Sequence, residues 1–217
     1  MPSGPETKWS GYRSKSNLIF NRDRIWRIRS LPGFAKWPAK MYDALMIERP
    51  EKEDYYLNIA QVVSRRSTCL KVLIGAIIVK EDQIIATGYV GAPRHTRSSL
   101  DHGFCLRQKL QIPSGTQYEL CRSVHAEQNT IINAARAGVS LLGGDMYIFG
   151  ENRESGKTLF AFPCFICKKM IVNAGLTRVL VSQPDAGGCK VFKVDDWARE
   201  WREQDILEDS VRYGQVK

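Results

Sequence analysis

Two short motifs, far apart in this 217-residue chain, constrain its fold more than any other feature. The first is His125-Ala126-Glu127, and the second is Pro163-Cys164-Phe165-Ile166-Cys167. One imidazole and two thiolates form a donor set that suits zinc, and three protein ligands leave the fourth position of a tetrahedral ion open. An open position is typical of catalytic rather than structural zinc. We therefore expect the chain to bring His125, Cys164 and Cys167 together around one catalytic zinc ion.

Both motifs are predicted to lie at the start of a helix. Residues three apart share one face of a helix, so the two cysteines can face the same point if a helix runs from Cys164 to Ala174. Ser123 is the expected N-cap of a second helix, from about Val124 to Arg136, with Glu127 in its first turn. The positive end of a helix dipole also favours the thiolate form of cysteine, which binds metal.

Glu127 is the member of the first motif without a role as a ligand. Zinc lowers the pKa of bound water from 15.7 to about 7, which makes hydroxide available at neutral pH. In hydrolysis of an amino group on a nucleobase, a neighbouring carboxylate can take the proton of the water and give it to a ring nitrogen. It can then give a proton to the amino group, which leaves as ammonia. We therefore expect Glu127 to be the catalytic acid and base. The bland alternative is a structural zinc knuckle or a redox C-x-x-C, but a knuckle usually supplies a second close cysteine or histidine pair. H-x-E together with P-C-x-x-C is typical of zinc-dependent nucleobase deaminases.

The composition is that of an ordinary globular domain. Hydrophobic residues make up 43% of the chain and charged residues 25%, and the length suits one domain with additional segments. The sequence shows no apolar run of membrane-spanning length and no signal-peptide pattern at Met1, so we expect a cytoplasmic protein without membrane contact. Six cysteines in such a compartment indicate metal ligands or buried thiols before disulfides.

Positive charge is concentrated at the N-terminus. The chain carries a net charge of +9, and residues 1–50 hold ten Lys/Arg against four Asp/Glu. Aromatic side chains are interleaved with these cations, a composition that suits phosphate contact and base stacking. Apolar residues in the same stretch favour packing on a neighbouring subunit instead. We accordingly divide the chain into a basic extension over 1–52 and a deaminase-like domain over 53–217, with its core at about 55–182 and a C-terminal helix.

The remaining pattern predicts a three-layer α/β/α fold. Apolar residues from Tyr56 to Val63 recur at helical spacing. Val72–Val79 and Ile84–Val90 are β-branched runs joined by a short polar turn, which indicates an antiparallel hairpin. Strands then alternate with helices, so the central sheet is expected to be mixed. The other expected elements are a strand at Met146–Phe149, a strand at Arg178–Ser182, an edge strand at Val191–Val194 and a last helix capped by Asp195 or Asp196.

With these residues in hand, the chain resembles the cytidine/deoxycytidylate deaminase superfamily, and more narrowly the deoxycytidylate (dCMP) deaminases, including the competence-operon type. The resemblance covers about Tyr55 to Ser182. It is carried by the blocks Arg66-Ser67-Thr68-Cys69, Ile74-Gly75-Ala76-Ile77-Ile78-Val79, Gly88-Tyr89-Val90-Gly91-Ala92-Pro93, Cys121-Arg122-Ser123-Val124-His125-Ala126-Glu127-Gln128-Asn129 and Pro163-Cys164-Phe165-Ile166-Cys167. It implies a cytidine-deaminase-like fold, zinc-dependent hydrolysis of dCMP to dUMP, a homo-oligomer, and allosteric control by dCTP and dTTP.

One position departs from the family pattern. The glycine-rich block usually reads G-Y-N-G-x-P, with the Asn thought to contact the sugar, whereas this chain has Val90 there. A valine side chain makes no directed hydrogen bond, so sugar recognition is either relaxed or supplied elsewhere, with Asn129 as the candidate.

The phosphate of such a substrate requires a positively charged partner. Arg66 is the first candidate and Arg97 the second, because arginine pairs well with phosphate. Ser67 is expected to add a hydroxyl donor, and Tyr89 is expected to stack on the base. For each of these the alternative is an ordinary surface or strand residue.

Related deaminases often carry a second, structural zinc, and four residues here match that set. Cys69, His102, Cys105 and Cys121 would close a Cys3His site that ties the long insert at 91–122 to the core. The alternative is three buried thiols and an exposed histidine.

Two other classes of function remain open. A deaminase of this chemistry can act on a base in single-stranded nucleic acid or tRNA, which the basic extension would serve. The chain can also be a non-catalytic assembly protein that keeps zinc for folding, but a structural site has no use for Glu127. A free cytosine nucleotide is the favoured substrate.

Overall fold

The computed structural model describes residues 49–113, 115–184 and 188–203. The basic extension predicted over 1–52 therefore lies almost wholly outside the described residues. The part of the predicted 53–217 domain that follows Glu203 also lies outside the described residues. The elements, in chain order, are α1 Lys52–Ser64, β1 Val72–Lys80, β2 Gln83–Tyr89, α2 Ser99–His102, α3 Leu106–Lys109, a 3-10 turn Tyr118–Leu120, α4 Ala126–Arg136, β3 Asp145–Asn152, α5 Phe165–Asn173, β4 Arg178–Ser182, β5 Cys189–Lys193 and α6 Val194–Glu203.

The five strands form one mixed sheet in the order β2-β1-β3-β4-β5. Strand β1 is antiparallel to both β2 and β3, β3 is parallel to β4, and β5 is antiparallel to β4 at the edge. The predicted hairpin is confirmed. Its turn places Glu81 and Asp82 at φ of 51° and 60°, the left-handed conformation that lets a two-residue turn follow the twist of its strands.

Helices cover both faces of the sheet, which confirms the three-layer α/β/α prediction. Successive side chains of a strand point to opposite faces, so Ile77 and Ile78 enter different cores. Ile77 packs with Tyr56, Leu57 and Ala60 of α1. The other core contains Ile78 and residues of α4, α5 and α6, with Ala126, Ala134, Ile171 and Trp197 among its buried members.

Two glycines let helices approach the hairpin closely, one on each face. A Cβ at Gly75 would overlap the backbone of α1 at Ala60 and Ser64. A Cβ at Gly88 would overlap the backbone of α4 at Thr130 and Ala126. The position of α4, which carries Glu127, therefore depends on the absence of a side chain at Gly88.

Two predicted helix starts are corrected. Helix α4 begins at Ala126 rather than Val124, because Val124 pairs as an extended residue with Gly91 and cannot be helical at the same time. Helix α6 begins at Val194, so Asp195 and Asp196 lie in its first turn rather than capping it. Within the described residues, no helix is both long and apolar enough to span a membrane.

Candidate active site

Two helix N-termini meet at the candidate site. His125 is the N-cap of α4, with φ −68° and ψ 155°, and Cys164 is the N-cap of α5, with φ −66° and ψ 167°. The Gln128 side chain accepts a hydrogen bond of 3.1 Å from the His125 backbone N–H, which fixes the first turn of α4. Because an N-cap residue has extended backbone geometry, its side chain leaves the helix at the dipole's positive end. His125 and Cys164 are thus both positioned by the N-terminus of a helix.

The three predicted ligands come together. The Nδ1 atom of His125 lies 3.6 Å from Sγ of Cys164 and 3.4 Å from Sγ of Cys167. A tetrahedral zinc ion with a Zn–N bond near 2.0 Å and a Zn–S bond near 2.3 Å requires an N to S separation of about 3.5 Å. Among the described residues, this is the only group of three His, Cys, Asp or Glu whose ligand atoms all lie within 4.8 Å of one another. The donor set and its spacing therefore fit zinc.

The thiols are electrostatically prepared for a cation. A hydrogen bond from the Cys167 thiol, assisted by the His125 ring, lowers the pKa of Cys164 to about 4. The same hydrogen bond, together with burial, raises the pKa of Cys167. Burial alone would lower the pKa of His125, but its contact with Cys164 and the charge of Glu127 raise it overall.

Glu127 is buried next to these ligands. Its side chain belongs to a residue that is 5% exposed, and burial raises the pKa of its carboxyl above the ordinary range. The Cys167 thiol lies within hydrogen-bond reach of that carboxylate. A carboxyl whose pKa is raised toward neutrality can both accept and return a proton, which is what acid–base catalysis requires.

The cluster opens into a cavity of about 430 Å³. Its walls come from β1, from the insert and from the segment before Cys164, and they include Lys71, Arg107, Tyr118, Phe160 and Phe162. Sequence reasoning named none of these five. The sequence contains one indication of them. The insert starts at Gly91 and ends shortly before His125, so both of its ends are expected near the site.

The structure places few of the predicted substrate contacts in this cavity. Val90 lines it, whereas Arg66 and Arg97 are exposed and are not part of its wall. The Ser67 hydroxyl is used by backbone, since it donates to the Ile74 carbonyl and accepts from the Ile74 N–H. The expected phosphate contacts of Arg66 and Arg97 stay predictions, with both side chains outside this wall.

Tyr89 and Asn129 lie on the other side of the same strand end. Both line a neighbouring cavity of about 360 Å³, which His125 does not line. The Asn129 amide donates a 2.8 Å hydrogen bond to the Tyr89 carbonyl, so it holds the strand end. Val90, the residue after β2, thus lines the catalytic cavity, whereas Tyr89 lines the neighbouring one.

The second predicted zinc set is only partly assembled. Cys69, Cys105 and Cys121 line the same cavity as His125, and burial followed by the charges of the other two thiols raises the pKa of Cys121. His102 is not part of that wall, and its exposed ring packs 5.8 Å from the ring of Phe104. A second zinc therefore stays a prediction: the three thiols line one cavity, but their sulfur atoms do not all lie within 4.8 Å of one another, and His102 is not part of the wall.

Residues 50–183 match the family model of the cytidine and deoxycytidylate deaminase zinc-binding region. The chain belongs to this family. The match contains both metal motifs, the hairpin and the insert, and it confirms the resemblance read from the sequence. The expected α/β fold is confirmed by the chain's own mixed sheet and flanking helices.

The family's curated members include several relatives of this chain. It is 32% identical over 192 residues to the deoxycytidylate deaminase of Saccharomyces cerevisiae, covering 84% of this chain and 56% of the yeast protein. It is 27% identical over 158 residues to ComE operon protein 2 of Bacillus subtilis, covering 73% of this chain and 69% of the bacterial protein. The deoxycytidylate deaminase of Schizosaccharomyces pombe is 26% identical over 173 residues, 78% of this chain and 48% of that protein. The chain thus spans about half the length of the two fungal relatives.

Proposed function

We propose that this chain is a zinc-dependent deaminase that hydrolyses a cytosine nucleotide, with dCMP as substrate and dUMP and ammonia as products. The observation that carries the proposal is the buried Glu127 carboxyl beside His125, Cys164 and Cys167, at the end of a cavity of about 430 Å³. Two fungal relatives named deoxycytidylate deaminase support the choice of dCMP.

Each part of the site has a role in this reaction. His125, Cys164 and Cys167 would hold the zinc, which when bound supplies the Lewis acid that lowers the pKa of a water molecule. Glu127 takes a proton from the attacking water and delivers it to the ring nitrogen of cytosine. It then carries a proton to the amino group, which leaves as ammonia. Phe160 and Phe162 line the cavity and offer the base an apolar surface to pack against.

Buried Glu127 also separates this proposal from a zinc-stabilised assembly protein. A buried carboxyl with a raised pKa costs folding free energy and contributes nothing to a structural metal site. A site that retains such a group at this cost is typical of catalysis.

The test is ammonia release from dCMP, dCTP, deoxycytidine and short single strands of DNA and RNA, with a Glu127→Ala chain as control. We expect dCMP to be turned over fastest, and we expect the control to lose at least about a hundredfold in kcat, the low end for an acid–base group. Release confined to the single strands would replace dCMP by a polynucleotide substrate. No release from any substrate by zinc-loaded chain would leave only the assembly role.

A further inference from the structure

The insert at 91–122 is pinned at both ends beside the catalytic ligands. The backbone N–H of Val124 donates 2.8 Å to the Gly91 carbonyl, and the Gly91 N–H donates 3.1 Å back to Val124. The residue that follows Val124 is His125. The insert therefore begins and ends beside His125, and its α3 helix and the following 3-10 turn bring Arg107 and Tyr118 into the cavity wall.

Arg107 uses only part of its hydrogen-bonding capacity. Its Nη2 group donates to the carbonyls of Pro113 and Thr116, at 2.7 Å and 2.5 Å, and its guanidinium carbon lies 4.9 Å from the centre of the Tyr118 ring. Among the described residues, the Nε atom of Arg107 is buried without a hydrogen-bond partner. A guanidinium carries five N–H donors, and an unsatisfied buried donor is unfavourable. Arg107 is therefore a cation whose position is fixed by two hydrogen bonds and which still has an N–H group available for a ligand.

Tyr118 connects this cation to the metal ligands. Its ring packs edge-on against His125, with centroids 4.9 Å apart and planes at 89°. The Arg107 guanidinium lies over the same ring. A single aromatic side chain therefore contacts both Arg107 and His125.

The charge of the cavity suits an anionic substituent. Apart from the metal ligands, its charged wall residues are Lys71, Arg107 and the buried Glu127. Lys71 is exposed, whereas Arg107 is half-buried and donates hydrogen bonds to two backbone carbonyls. A planar guanidinium that is already held in place loses little entropy when it binds phosphate oxygens.

We propose that Arg107 is the specificity-determining residue that recognises the phosphate of the nucleotide substrate, with Tyr118 holding it over the cavity. The assignment rests on the proposed function, and it replaces Arg66 and Arg97 in that role. The phosphate is the group that distinguishes dCMP from deoxycytidine, so Arg107 is expected to act on one substrate and not on the other.

The experiment measures binding and turnover of dCMP and deoxycytidine by Arg107→Met chains. Binding is measured by calorimetry in a Glu127→Gln background, which does not depend on catalysis. We expect Arg107→Met to weaken dCMP binding by about ten- to a hundredfold, as for loss of a charge-assisted hydrogen bond, and to change deoxycytidine binding by no more than about twofold. In turnover, the loss should appear in KM for dCMP rather than in kcat. Arg107→Lys should recover part of it.

Lys109→Met is the matched control, because Lys109 is an exposed cation on the same short helix and packs on Phe104 instead of lining the cavity. It should leave both substrates unchanged, and zinc content should equal wild type in every chain. Equal loss for dCMP and deoxycytidine in Arg107→Met would make Arg107 only an anchor of the insert and overturn the proposal. A larger loss of dCMP binding in Arg66→Met or Arg97→Met would also overturn it. Absence of turnover by wild type, with the dCMP-specific binding loss intact, would reject the proposed reaction but not the phosphate contact.

Discussion

At the scale of single residues, the site depends on where two side chains leave their helices. His125 and Cys164 are both N-cap residues, so each projects its ligand atom from the positive end of a dipole. Cys167 follows Cys164 by one helical turn and is fully buried. This spacing explains why the three ligand residues could be identified from the sequence, since the motif itself encodes the local geometry.

Replacing Cys167 is expected to remove the metal. Cys167→Ala deletes a fully buried ligand, and two remaining donors hold zinc far less tightly than three. We expect bound zinc to fall below about a tenth of the wild-type content after dialysis, by the tenfold-per-1.4 kcal/mol relation. Elemental analysis of the purified chain measures this directly.

Cys189→Ala is the control for that measurement, because Cys189 is a half-buried thiol at the start of β5 and packs beside the α1 core. It should retain wild-type zinc. Full zinc content in Cys167→Ala would mean that His125, Cys164 and Cys167 do not form the metal site.

At the scale of elements, the hairpin and α4 were predictable, but the exact start of α4 was not. The runs of β-branched residues predict the two strands, and the His125-Ala126-Glu127 motif predicts a helix start. The pairing of Val124 with Gly91 is a long-range contact that no local pattern contains, and it shortens the helix by two residues. The substrate contacts stay predictions, and local pattern could not place them for a similar reason: Tyr89 and Val90 are neighbours in sequence but line different cavities.

Close approach of α4 to the hairpin gives a prediction at this scale. Gly88→Ala places a methyl group against the backbone of Thr130 and Ala126, so α4 has to move away from the sheet and take His125 and Glu127 with it. We expect a loss of about 1–3 kcal/mol in the free energy of unfolding, the usual range for overpacking, together with weaker zinc retention. Chemical denaturation and chelator competition measure the two effects.

Gly75→Ala is the matched substitution on the opposite face, where the added methyl group meets α1 instead. It should reduce the free energy of unfolding by a similar amount while leaving zinc retention nearly unchanged. Equal loss of zinc in both variants would show that α4 is not specifically positioned by Gly88.

At the scale of the whole molecule, the mixed sheet and the helices on both faces bring two distant motifs to one point. Strand β3 and the segment after it carry the chain from α4 to Cys164, and α5 then packs beside α4. The three-layer architecture followed from the alternation of strands and helices in the sequence. The cavity wall did not, because Arg107, Tyr118 and Phe160 reach it from separate segments whose fold is set by tertiary contacts.

The central claim is that this architecture serves to deaminate a cytosine nucleotide through Glu127. The most direct measurement is conversion of dCMP to dUMP by zinc-loaded wild type and by Glu127→Gln at equal zinc content. Glutamine keeps the shape of the side chain but cannot carry a proton, so we predict full conversion by wild type and at least a hundredfold lower kcat in the variant, about the minimum for an acid–base residue. Equal rates in the two chains, or no dUMP from the zinc-loaded wild type, would contradict the account.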